Sequence, residues 1–409
     1  MKLGNIPIED FEYNLPDDRI AWFPKAERSS SKLLVYNRGE ISTALFSSIP
    51  DYLPSGSTVF FNNTRVIEAR LIFKKATGAK IEIFLLHPAH PHDYESAMKA
   101  RTSVTWDCLI GGASKWKAGQ VLEKEIKINE TKVILTATYN RKTENGFLIE
   151  LYWKNESYSF EEILKHAGDI PLPPYIKRDT VEADSRRYQT SYAKTPGSVA
   201  APTAGLHFTP EVLDAIKSKN IELEYLTLHV GAGTFKPVKA KFANEHSMHS
   251  ESFIITKAML EALLKNPDKQ ITAVGTTSMR TLESVYWAGI LIHKNKNLKP
   301  DEIKVPQWMP YDETIDTVSK ELAIESLLTW LAENETDKCY AETEIMIVPG
   351  YEFKIVDILI TNFHQPGSTL LLLVAAFIGN DWKEIYEYAI KNEYRFLSYG
   401  DSSILIPKK

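Results

Sequence analysis

A change of periodicity near Phe160 limits this chain to a mixed architecture. From Ser57 to about Trp153, six short runs rich in β-branched and aromatic residues follow one another: TVFF, EARLIFKK, KIEIFLLH, SVTWDCLI, KVILTATY and GFLIELYW. Turn signals at Thr77-Gly78, Gly111-Gly112 and Glu144-Asn145-Gly146 separate them, which predicts a small antiparallel sheet or barrel. The stretch from His87 to Lys99 has no period and reads as a long loop whose histidines face solvent rather than a metal. From Phe160 onward helices and strands alternate, the mark of an α/β domain. TPEVLDAIKSKN is a helix capped by Thr209, with Pro210 first and Asn220 closing it. The strand IELEYLTLHVG follows, then ITAVG feeding TTSMRTLESVYWAG, the helix KELAIESLLTWLAENE, the strand FKIVDILIT and the helices STLLLLVAAFI and WKEIYEYAIK. At the amino end, YNLPDDRIAWFP reads as a short helix and SKLLVYN as an edge strand, both packed on the α/β body.

Composition narrows the class. At ~150 residues per domain, 409 residues suggest two or three domains. A hydrophobic share of 44% with 25% charge excludes a disordered or fibrous chain. The longest apolar run, Leu370 to Ile378, is much shorter than a bilayer span of ~20 residues. The amino terminus lacks a secretory h-region, and Cys108 and Cys339 are too few and too distant for a disulfide framework or a thiolate site. A cytoplasmic protein with no membrane partner is expected. A net charge of -5 excludes nucleic-acid binding driven by the whole-molecule field, and leaves room for a local basic patch.

Chemistry is expected where strands end and helices begin, because free amides collect there. Gly231-Ala-Gly233 lets backbone approach a ligand, but Lys236 and Pro237 break the dinucleotide fingerprint, and a tight turn fits the same residues. Thr276, Thr277 and Arg280 follow Gly275 at a strand-to-helix junction, which suits a carboxylate or phosphate as well as simple helix capping. In His246-Ser-Met-His249-Ser-Glu251 the spacing is not that of a helical zinc motif, so hydrogen bonding is expected there and no metal. Thr203-Ala-Gly205-Leu-His207 and Asn362-Phe-His364 each deliver a histidine to a turn, and Ser368 or Thr369 caps the helix after the second. With His229 and His249, these histidines concentrate at junctions of the α/β body and point to one shared site. No nucleophile elbow, phosphate loop or cysteine pair is present.

Nine blocks in order carry a resemblance: FFNNTRVIEARL, PLPPYIKR, RYQTSYA, GSVAAPTAGLHFT, LHVGAGTFKPV, HSMHSE, AVGTTSMRTLES, PGYEFKIVDILITNFHQPGSTLLLLVAAF and YRFLSYGD. Together the chain resembles the S-adenosylmethionine:tRNA ribosyltransferase-isomerases of the queuosine pathway. The resemblance implies an α/β main domain, residues 1–65 and 159–409, with an all-β barrel domain of residues 66–158 inserted in it. It implies transfer and isomerisation of the ribosyl part of S-adenosylmethionine, a substrate rather than a resident cofactor, onto 7-aminomethyl-7-deazaguanine at the tRNA wobble position. Epoxyqueuosine-tRNA, adenine and methionine are the implied products, and a cytoplasmic monomer without metal is expected.

That chemistry needs a base for an acidified ribose 5′ hydrogen and a proton for departing adenine. His207, His249 and His364 are the candidates, with Glu251 or Asp401 orienting one of them or steering the substrate amine. Arg280, Thr276 and Thr277 suit the methionine carboxylate, and Gly231 and Gly233 the approach of ribose or adenine. Thr203, Gly205, His229 and Asn362 complete the expected site. Arg65 and Arg70 are expected on tRNA phosphate or sugar, with Lys74, Lys75, Lys80, Lys115 and Lys117 as the basic face. Asn63, Gln365 and the closing SYGDSSILI depart from the family pattern, and the segments near 87–102 and 294–339 read as added length. A paralogue with an altered substrate, or a noncatalytic RNA-binding protein on the same fold, is the alternative.

Overall fold

A computed structural model describes residues 5–117, 119–143, 146–231, 233, 238–265 and 268–408. The expected turn at Glu144-Asn145 and the residues Lys236 and Pro237 lie outside them. Ten strands form the larger sheet, in spatial order Lys304–Val305, Lys338–Thr343, Glu251–Thr256, Glu222–Leu228, Thr58–Asn62, Ile271–Val274, Ile358–Asn362, Ser402–Ile406, Lys32–Asn37 and Glu40–Leu45. The four strands from Glu222–Leu228 to Ile358–Asn362 are mutually parallel. Three of these, TVFFN, ITAV and ILITN, are buried along their whole length, because helices cover the parallel sheet and each strand can therefore be continuously apolar. The helix Thr276–Lys294 lies in the core and is buried over nearly its whole length.

Parallel direction puts the carboxyl ends of these four strands, Asn62, Leu228, Val274 and Asn362, at one edge of the sheet. From Thr58–Asn62 the chain passes first to Glu222–Leu228 on one side and later to Ile271–Val274 on the other. Connections that diverge in this way open a crevice at that edge.

The strand-dense segment forms a seven-stranded antiparallel sheet, ordered Gly168–Asp169, Arg70–Lys74, Lys80–His90, Ser103–Gly111, Phe147–Trp153, Thr131–Lys142 and Val121–Ile128. Inward and outward residues alternate along Lys80–His90 and Ser103–Gly111, as expected for strands with one buried face. Trp106, Trp153, Phe73 and Phe160 fill the core beneath. Among the described residues the two outer strands do not pair with each other, so the sheet is open.

Four local expectations change. The first strand of the His87 region runs on to His90, and Tyr94–Lys99 is a helix capped by Asp93, whose carboxylate accepts from the Ser96 amide at 2.8 Å. Its buried Tyr94, Ala97 and Met98 carry the helical spacing, over too few residues to register as a period. Lys32–Asn37 is one strand in from the edge, covered by the hairpin partner Glu40–Leu45. YNLPDD contains only a single tight turn at Asp17–Arg19, and the strand in FKIVDILIT begins at Ile358. The capped helices Pro210–Ser218 and Thr369–Ile378 form as expected, with Thr209 and Ser368 accepting from Val212 and Leu371.

Two links join the sheets. Thr64–Val66 pairs in parallel with Thr195–Ser198, where the chain leaves and re-enters the body. Tyr94 stacks on His229 at 4.1 Å, while Glu95 accepts from Lys338 at 2.6 Å and from the Tyr340 hydroxyl at 2.9 Å. Among the described residues no helix is long and apolar enough to cross a membrane.

Candidate active site

At the carboxyl edge of the parallel strands lies a cleft with about 710 Å³ of empty space, counted with the open solvent at its mouth. Thr203, Thr276, Thr277, Asn362 and His364 of the expected site line it. Gly275 turns the chain from strand to helix at φ 88°, a left-handed conformation that side chains resist, and its amide donates to the Ile360 carbonyl at 2.7 Å. No side chain caps the helix that follows, and the Thr277 hydroxyl is buried without a partner. The first-turn amides and the positive end of the helix dipole therefore stand free for an anion.

His364 sits at the end of the next strand. Its Nε2 meets the Thr361 hydroxyl at 3.1 Å, its backbone amide donates to Tyr386, and Nδ1 has no hydrogen bond among the described residues. Burial lowers its pKa to about 3, so the ring is neutral at neutral pH. His207 differs: Nδ1 meets Ser31 and Nε2 meets the Asn362 side-chain oxygen, both at 3.1 Å. Burial lowers its pKa to about 4, against the opposing hydrogen bond to Asn362. Asn362 in turn donates to the carbonyls of Leu397 and Ser398, so this chain of bonds holds the YRFLSYGD loop against the cleft. Asp401 is buried and accepts from the amides of Lys32 and Arg395, both at 2.8 Å, which ties the same loop to the sheet.

A second pocket, with about 460 Å³ of empty space, adjoins the first at Leu370, which lines both. Arg280 and His249 lie in it beside Met248, Met346 and Leu373. Arg280 pairs through Nη1 with the fully buried Glu251, donates from Nε to the Ile345 carbonyl at 3.3 Å, and leaves Nη2 buried and unpartnered. Glu251 also accepts from the Gly231 amide at 3.2 Å and lies 3.3 Å from His249 Nε2. Burial alone would raise the carboxyl pKa, but the guanidinium, with help from His249, holds it at about 2. The space beside Gly231 and Gly233 is filled by the His249 ring, and a Cβ on Gly233 would overlap it. These glycines thus accommodate an imidazole, where the sequence suggested room for ribose or adenine. Thr276 and Thr277 face the first pocket and Arg280 the second, so the composite carboxylate site expected from GTTSMR is divided.

The remaining expected residues lie apart. Arg65 pairs with Glu161, and Arg70 with Glu82 at 2.5 Å; neither lines a pocket at the strand ends. Gly205 is a packing position, since a Cβ there would overlap the Tyr192 hydroxyl. His229 contacts the Thr64 hydroxyl at 3.2 Å through Nδ1, its buried Nε2 has no partner, and burial lowers its pKa to about 3. Among the described residues no group of three or more His, Cys, Asp or Glu side chains is arranged to hold a metal ion.

Sequence reasoning did not place Tyr175, Tyr188 and Ser398 in the cleft, although each stands in a motif singled out above. It also missed Glu283, whose buried carboxylate accepts from Tyr351 at 2.7 Å and from the amides of Lys354, Ile355 and Val356 at 2.9, 3.0 and 3.1 Å. A lone acid in an apolar helix was the available signal.

The model of the queuosine biosynthesis protein family matches residues 8–405. An S-adenosylmethionine:tRNA ribosyltransferase-isomerase from Desulfitobacterium hafniense (strain DSM 10664 / DCB-2) is 39% identical over 412 residues, covering 98% of this chain and 99% of that protein. One from Legionella pneumophila (strain Paris) is 37% identical over 403 residues, covering 97% and 99%. A crystal structure of an S-adenosylmethionine tRNA ribosyltransferase from Thermotoga maritima is 28% identical, with a TM-score of 0.46, and covers 97% of this chain and 100% of that one. Identity at this level along nearly the whole length, together with the family match, places the chain in the queuosine biosynthesis protein family, among the S-adenosylmethionine:tRNA ribosyltransferase-isomerases.

Proposed function

We propose that this protein transfers the ribosyl part of S-adenosylmethionine onto 7-aminomethyl-7-deazaguanine in tRNA and isomerises it, giving epoxyqueuosine-tRNA, adenine and methionine in the cytoplasm. Beside the family membership, the observation that carries the reading is the cleft at the parallel strand ends. There an uncapped helix terminus and a histidine with a free ring nitrogen face the same space.

The sulfonium of the donor acidifies the adjacent ribose 5′ hydrogens, so a neutral base within reach starts the reaction. His364 fits this role by its place, since its ring lines the cleft and Nδ1 has no hydrogen bond among the described residues. His207 has both ring nitrogens engaged and acts as a positioning residue through Asn362. His249, Glu251 and Arg280 serve the adjoining pocket, and Asp401 acts by holding the loop that closes the cleft. Gln365, which lines the cleft and departs from the pattern that the resemblance implies, is a candidate for tuning substrate choice. The strand-dense segment, residues 66–158, is read as an inserted barrel-like domain.

Incubation of the protein with S-adenosylmethionine and tRNA bearing the deazaguanine precursor tests the proposal. Adenine release and a nucleoside of epoxyqueuosine mass are expected. Binding of that tRNA with neither product would overturn it in favour of a noncatalytic RNA-binding protein. Replacing His364 with Ala is expected to abolish adenine release while leaving tRNA affinity unchanged.

A further inference from the structure

Two large aromatic side chains, Trp22 and Phe23, stand at one turn with 40% and 54% of their surface exposed. Side chains of this size are seldom left in solvent together on a lone protein without a partner. Guanidinium groups gather around the turn, and most of their hydrogen bonds go to neutral carbonyls. Arg178 lies over the Phe23 ring at 4.3 Å and donates to the Trp22 carbonyl at 3.0 Å; Arg395 donates to the Phe23 carbonyl. Arg187 donates to the carbonyls of Lys25 and Ala26, and Arg28 to those of Leu206 and Arg186. Of the four, Arg178 alone is neutralised, by the buried Asp184 at 2.7 Å. Burial, and after it the like charge of Arg187 nearby, disfavour the charged form of Arg28. The exposed acids of the same segments are Asp17, Asp18, Glu27, Asp179, Glu182 and Glu393, the last 3.5 Å from Arg19, and Lys25 lies 3.7 Å from Asp401. A carbonyl acceptor orients a guanidinium without cancelling its charge, so the turn combines open aromatic faces with the guanidiniums of Arg28, Arg187 and Arg395 held on neutral acceptors.

The turn is at the rim of the cleft. Ala21 packs in one apolar cluster with Tyr188, Leu206 and Tyr399, and Tyr175 rests against it. Tyr175 and Tyr188 line the cleft, and the Tyr175 hydroxyl meets that of Ser398 there at 2.5 Å.

We propose that the Trp22–Phe23 turn and its arginines form the platform on which the single-stranded loop of the RNA substrate docks, with bases stacked on the rings and phosphates on the guanidiniums. Aromatic faces take any base, and arginines supply both cation–π contact and phosphate pairing. A nucleobase unstacked at this rim is already beside the cleft it must enter. This placement rests on the function proposed above and moves the RNA contact away from Lys74, Lys75, Lys80, Lys115 and Lys117, which lie on the antiparallel sheet and its turns.

The test measures binding of a fluorescent RNA hairpin with a seven-nucleotide loop, and of the same RNA closed into a duplex, over a series of salt concentrations. The wild type is expected to prefer the hairpin. The double variant Trp22→Ala, Phe23→Ala is expected to weaken hairpin binding by about tenfold or more, the usual effect of losing a stacked base. Its salt slope and its affinity for S-adenosylmethionine should stay as in the wild type, the latter showing an intact fold. Arg187→Gln, which removes one guanidinium of the platform, is expected to lower the salt slope by about one. Hairpin affinity of the double variant within twofold of wild type would overturn the platform and leave the enzymatic reading standing. So would loss of binding on charge reversal at Lys74, Lys75 and Lys80 alone, or a change in molecular mass without a change in RNA affinity, which would assign the turn to a second copy of the chain. A wild type that binds S-adenosylmethionine but neither RNA would overturn both.

Discussion

Replacing Glu251 with Gln removes one charge from a buried pair and keeps the side-chain volume. The guanidinium of Arg280 is then left 5% exposed, with Nη2 already unpartnered and only the Ile345 carbonyl for company. Breaking a buried pair from one side costs about 3–5 kcal/mol, because the surviving charge stays desolvated. The same guanidinium holds the carboxyl at about 2 in the fold against an ordinary 4.5, so the fold favours the ionised form. Because the folded-state pKa is depressed, this contribution is complete above pH 4.5 and is lost as pH falls towards 2. Urea unfolding at pH 7 should therefore show E251Q destabilised by about 3–5 kcal/mol. The double variant Glu251→Gln, Arg280→Met should recover much of the loss, since it removes the orphaned charge, giving a coupling energy of at least about 1.5 kcal/mol. A loss below about 1 kcal/mol in E251Q, or strictly additive effects in the double variant, would refute the account of Arg280 as a buried, Glu251-dependent cation.

Three further outcomes are expected. His207, His229 and His364 are buried neutral, so the unfolded chain takes up protons below pH 6.5 that the fold refuses; stability should fall as pH drops from 6.5 towards 4, and His207→Gln should flatten that slope by up to about 1.4 kcal/mol per pH unit in urea titrations. Thr277→Val deletes a buried hydroxyl that has no partner, so thermal stability should hold or rise while the KM for S-adenosylmethionine increases; a KM equal to wild type would remove this helix terminus from the site. Gly205→Ala forces a methyl against the Tyr192 hydroxyl and should cost about 1–3 kcal/mol in denaturant unfolding, whereas a neutral result would show that Tyr192 moves aside freely.

The α/β order, the capped helices and the strand-dense segment were legible because periodicity, caps and turns are local signals. Thr209, Ser368 and Gly275 mark their elements within a few residues. The site was legible as a set of junctions, since strands running in parallel must bring their carboxyl ends together. What each junction does was not legible, because it depends on partners far along the chain. His207 and His364 look alike in sequence, yet one is enclosed by Ser31 and Asn362 and the other keeps a free nitrogen. Gly231 and Gly233 promised open backbone and instead receive the ring of His249. Arg280 stands four residues from Thr276, close enough in sequence to suggest one anion site, but Glu251 draws it into the neighbouring pocket. The short helix Tyr94–Lys99 escaped notice because its worth lies in contacts with His229, Lys338 and Tyr340, none of which is near it in sequence.

That helix has a mechanical consequence. A sheet attached to a body only where the chain leaves and returns would swing about that attachment, as a lid does. Tyr94 on His229 and Glu95 on Lys338 and Tyr340 add a third point away from the Thr64–Val66 ladder, and three points fix an orientation. The antiparallel sheet is therefore held at a set angle to the cleft, and loss of the contacts of Tyr94 and Glu95 would free it to swing without altering any residue that lines the cleft.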